Sequence, residues 1–184
     1  MSVSSSSLVY RAVRGTGAAC ATSPDGLHIQ ASSFRTLRLP AADRDSLLVL
    51  RPGPAPPVGV PVAGDLRSGF CPDGRPAVVV PYAAVPDPLS GVNWPALVWL
   101  TEVMEIRAYQ SVVEWWLGLR SIGAGEVIQP ALGPLAANGL VVRALDSSGA
   151  GTGSLADVRR LEILLRLASA DSLHTIVPFS GEWP

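Results

Sequence analysis

The sequence predicts an α+β fold, with an antiparallel, β-rich first half and a second half holding one long and one shorter helix. Three observations predict it. Short apolar stretches in the first half are punctuated by turn chemistry such as Ser23-Pro24-Asp25-Gly26 and Cys71-Pro72-Asp73-Gly74. Residues 96–120 contain no proline and only one glycine, Gly118, in a run rich in apolar side chains. Residues 154–168 place apolar side chains at helical spacing behind Ser154 and Asp157, an S-x-x-D capping pattern. Sandwich, barrel and open sheet all suit the first half.

Taken in order, residues 1–7 are serine-rich and read as a flexible arm. Residues 8–14 alternate as a strand that Gly15 and Gly17 end. Strand character returns over residues 27–39 and 46–50. Residues 51–57 hold four prolines and form an extended, proline-rich connection. Residues 58–63 contain Pro61 and so make an edge strand at best. Residues 77–83 read as a buried strand.

Asn93, Trp94 and Pro95 mark the start of the long helix over residues 96–120, because proline suits a first turn. Apolar residues wrap most of its circumference, which describes a helix covered on several sides. Residues 126–135 read as a loop because of Pro130 and Pro134. A strand is expected over 140–145, a Gly/Ser loop over 147–153, the second helix from Ser154, and a last strand over 175–179. The 184 residues suit a single domain.

Composition narrows the function. All 14 basic side chains are arginine and none is lysine, which removes chemistries that need a Walker-type phosphate lysine, a Schiff-base lysine, a kinase-type lysine or a Ser-Lys pair. Charged residues are only 16% of the chain and hydrophobic ones 48%, so a protein this apolar is expected to cover surface against other copies. The run over 94–119 is interrupted by Glu102, Glu105, Arg107 and Glu114, so no membrane span is expected. No secretory signal is recognisable, and the expected location is a virion or the cytoplasm.

Several groups are candidate sites. Trp94, Trp99, Trp115 and Trp116 cluster in the sequence and are the expected interface anchors. Arg35 and Arg38 lie in a first quarter carrying six arginines against three aspartates, and make weak nucleic-acid contact a minor expectation. Gly149, Gly151, Gly153 and Ser154 form a glycine-rich loop before the second helix, where converging amides could hold phosphate. Its spacing departs from G-x-G-x-x-G, because the third glycine comes one residue early. Glu102 and Glu105 would share a helix face, and His174 would sit at a helix end. No G-x-S-x-G is present. Cys20 and Cys71 are expected as buried free thiols, with pairing left open, and no metal site or cofactor is expected.

The expected function is a non-enzymatic structural subunit of a symmetric assembly, a viral capsid or virion-associated protein being the leading case, whose partner is itself. The alternative is a small nucleotide- or phosphate-binding enzyme using the loop from Gly149 to Gly153.

Overall fold

The computed structural model describes residues 2–51, 55–83, 89 and 91–178. The chain opens with β1 (Ser2–Ser4) and β2 (Ser7–Ser23), joined by a tight turn. Four strands follow: β3 (Gly26–Gln30), β4 (Arg35–Thr36), β5 (Asp45–Leu50) and β6 (Val58–Pro61). β7 (Arg67–Phe70) and β8 (Pro76–Val80) form a hairpin across the turn over 71–75. β9 (Ala96–Ser111), β10 (Glu114–Ser121) and β11 (Gln129–Leu145) are next. One 3-10 turn, Leu155–Asp157, precedes β12 (Arg160–Leu167) and β13 (Ser172–Pro178).

The α+β expectation is therefore corrected: the fold is an antiparallel β fold, and the described residues include no α-helix. Residues 96–120, expected as the long helix, are the β9–β10 hairpin, in register from Ser111↔Glu114 to Met104↔Ser121. Ala96, Val98 and Leu100 are buried on one face of β9, and Thr101 and Glu105 are buried at the opposite parity. A strand covered on both faces needs apolar side chains at successive positions, which reads in sequence like a helix apolar all round. Its β-branched and aromatic residues, among them Val98, Trp99, Ile106 and Tyr109, suit a pleated surface better than a helix.

The second expected helix fails for a different reason. Ser154 does receive the Asp157 N–H through its backbone carbonyl at 3.2 Å, but the turn stops there. Residues 160–167 instead lie between two neighbours, β11 and β13, which satisfy the backbone from both sides. Pro130 and Pro134, which argue for a loop, lie within β11.

The chain divides into two units, one of residues 12–103 and the other drawing on residues 1–11 and the chain from 104 onward. In the first unit, β3 pairs with β2 and β8, and β5 pairs with β6 and with the first part of β9. Alternate residues of these strands converge on one core that includes Leu27, Ile29, Leu47, Val80, Val98 and Leu100. Fully burying each such side chain contributes about 1.5–3 kcal/mol. Cys20 on β2 and Cys71, just after β7, are joined in a disulfide with Cα atoms 5.7 Å apart, so the free-thiol expectation is also corrected.

In the second unit, β10, β11, β12 and β13 pair in that order. Residues 2–4, expected as part of a flexible arm, form β1 against the start of β2. The turn between them is held at both sides: Ser6 O accepts from Ala108 N at 3.1 Å, and Ser5 O accepts from Val142 N at 3.1 Å. The core of this unit gathers Leu8, Leu140, Val142, Val158, Leu161 and Leu165.

Candidate self-association edge

β13 has β12 as its one neighbour among the described residues, so its other side is an edge. The hairpin turn fixes which backbone groups face that edge. Leu167 N donates to Asp171 O at 2.8 Å, and Leu167 O accepts from Ala170 N at 3.2 Å. Antiparallel pairs alternate between hydrogen-bonded and non-bonded. Counting on from the bonded pair Leu167–Asp171, the residues Leu173, Thr175 and Val177 turn N–H and C=O toward β12. His174 and Ile176 turn theirs outward. Pro178, which has no N–H, also falls at an outward position.

The side chains of β13 divide between the two faces of the sheet. Leu173, Thr175 and Val177 lie opposite Leu165, Ile163 and Leu161 of β12. Leu161 and Leu165 are core residues, yet beside them Leu173 is 60% exposed and Val177 43% exposed. The apolar face thus continues past the covered core and ends in solvent. On the other face, His174 Nε2 lies 3.0 Å from Glu162 Oε1, and Arg143 Nη1 donates to Glu162 Oε2 at 3.2 Å. Ile176 sits there as well, half-exposed. β13 itself contains no Asp, Glu, Lys or Arg. An edge that is extended, apolar and uncharged is a template for pairing with another strand.

Sequence reasoning placed a strand at 175–179 but did not mark it as an interface. A signal was present: no formally charged residue occurs between Asp171 and Glu182. The expected tryptophan anchors divide between the two units. Trp94 and Trp99 belong to the unit of residues 12–103, and Trp115 and Trp116 belong to the other. All four are half-buried. Being adjacent on β10, Trp115 and Trp116 point to opposite faces of the sheet. The Trp116 ring lies against Gly133, where an added Cβ would come within 2.6 Å of Cε3.

The arginines are also placed. Arg38 is committed to carboxylates of its own chain: Nη1 and Nη2 donate to Asp45 Oδ2 and Oδ1 at 2.6 and 2.7 Å, and Nη2 to Glu102 Oε2 at 3.0 Å. Arg14 Nε donates to the same Glu102 oxygen at 2.8 Å. The hydrogen bond to Asp45 raises the pKa of Arg38 further above its already high value. Arg35 is exposed and donates to Phe34 O. Glu102 and Glu105 are three apart on a strand and so face opposite ways; Glu105 accepts from Arg120 Nε at 2.5 Å.

The glycine loop joins β11 to the 3-10 turn, not to a helix. Its amides are engaged from within. Asp146 Oδ1 accepts from Ser148 N, Ser148 Oγ and Ala150 N at 2.8, 2.6 and 3.0 Å. The Ser148 hydroxyl, above all, holds the Asp146 carboxyl below the usual carboxylate range. Beside the loop lies a cavity of about 290 Å³ lined by Asp146, Ser147, Gly151, Thr152, Asp157 and Arg159. Two carboxylates against one guanidinium make this lining unfavourable to phosphate. An added Cβ at Gly149, Gly151 or Gly153 would meet nothing within 4 Å, and Gly149 has φ +89°.

Comparison with known proteins yields no matching family model, no matching curated protein and no matching solved structure.

Proposed function

We propose that this protein is a structural subunit that assembles with copies of itself by extending its sheet at β13. The observation that carries the proposal is the exposed, uncharged edge, whose core-side residues Leu173 and Val177 are left uncovered. The low charge of the whole chain supports it, because little of the surface is built to repel a like copy. The reading requires no catalytic step. Further contacts in a larger assembly could draw on the exposed Leu37, Leu39, Phe70 and Val113. A virion shell is the form of assembly the composition suggested, and uniform closed particles in electron micrographs would support that form.

Light scattering on size-exclusion fractions tests self-assembly. The wild-type chain should elute above the monomer mass at micromolar concentration. Ile176→Pro removes an outward N–H without touching the β12 ladder, and should return the chain to a monomer whose far-UV circular dichroism still reports the β fold. A wild-type chain that stays monomeric throughout this range rules the proposal out.

A further inference from the structure

The edge also specifies its partner and register, an inference that rests on the self-assembly just proposed. We infer that β13 pairs antiparallel with the partner's β13 about a two-fold axis passing beside Thr175. Only outward-facing residues can exchange backbone bonds across such an edge, and these are Ser172, His174, Ile176 and Pro178.

With Thr175 opposite the partner's Thr175, His174 faces the partner's Ile176 and exchanges both backbone bonds with it. Ser172 N–H meets the carbonyl of the partner's Pro178. That register confines the missing proline N–H to the ends of the ladder, where only the terminal Ser172 carbonyl goes without a donor and is left to water. Centring instead on His174 would leave Pro178 unpaired and set two imidazoles directly opposite each other. Centring on Ile176 would oppose His174 to the partner's Pro178, which has no donor to return.

The side chains agree with the backbone. In the Thr175 register, Leu173 lies directly across from the partner's Val177, and Val177 from the partner's Leu173. The apolar strip that ends in solvent on one chain is thereby continued by the same strip on the other. An interface with two-fold symmetry must be self-complementary in this way. On the other face His174 sits across from the partner's Ile176, with Glu162 and Arg143 alongside. A second copy is therefore the occupant this edge fits, and it needs no charged groove to guide it.

Cysteine cross-linking tests the register. Thr175 is exposed and would occupy a non-bonded pair, where side chains approach most closely. Thr175→Cys, mildly oxidised, should move most of the chain into a covalent dimer on a non-reducing gel. Wild type should give none, its own cysteines being already joined. Leu173→Cys alone should give little, while an equal mixture of Leu173→Cys and Val177→Cys should give the dimer. An oligomer in which Thr175→Cys fails to link, or links no better than His174→Cys and Ile176→Cys, overturns the register and leaves self-assembly standing. A chain that is monomeric by light scattering and unlinked in every variant overturns both.

Discussion

Asp45 shows how a single residue can decide the meaning of another. Its side chain is fully buried; Arg38 supplies two hydrogen bonds and, among the described residues, its only opposite charge in direct contact, and the Ala41 N–H adds a third hydrogen bond at 2.8 Å. Removing one partner of such a pair leaves a charge without compensation in a poorly solvated place. Arg38→Met should lower the unfolding free energy by about 3 kcal/mol, read as a fall in the urea midpoint at unchanged slope. A shift under about 0.5 kcal/mol would show that the pair contributes nothing. In the sequence Arg38 looks like a free cation in a basic quarter, suited to phosphate. The proximity of Asp43 and Asp45 was legible there, but Glu102, 64 residues further along, was not. Long-range ion pairs depend on strand register, which composition does not encode.

At the scale of elements, the β9–β10 hairpin explains most of what the sequence concealed. Its turn is Val112-Val113, and Val112 has φ +58°, a left-handed conformation that β-branched residues avoid. Turns of this kind ordinarily announce themselves with Gly, Asn or Asp. Here they do not, and a long run without any turn signal was the result. Val112 is 93% exposed, so its side chain contributes no burial to offset the strain. Val112→Asn should accordingly stabilise the protein by about 1 kcal/mol, visible as a rise of several degrees in Tm. A lower Tm for that variant would mean that the valine makes a contact worth more than the strain. By contrast, the turns at Gly26 and Gly74 were legible, because glycine occupies a positive φ in each. The strands at β5 and β8 were legible as well, since short apolar stretches between turn signals have few other readings.

For the whole molecule, composition raised self-association only as an expectation, and it could not say which strand lies at an edge, because that follows from the order of strands in the sheet. It was equally silent on the disulfide. Cys20 and Cys71 stand 51 residues apart, and only the folded chain brings them together. Closing a loop of that length restricts the unfolded chain, so Cys20→Ala with Cys71→Ala should cost roughly 2–4 kcal/mol of stability in chemical denaturation. No measurable loss would indicate that the core holds this region unaided. Disulfides persist in oxidising surroundings, virion surfaces among them. The division into two units carries a practical consequence. It falls between residues 11 and 12 and between 103 and 104, inside β2 and inside β9. Any attempt to express either half alone would sever two long strands in mid-course, leaving raw backbone where a linker would ordinarily have offered a clean place to cut.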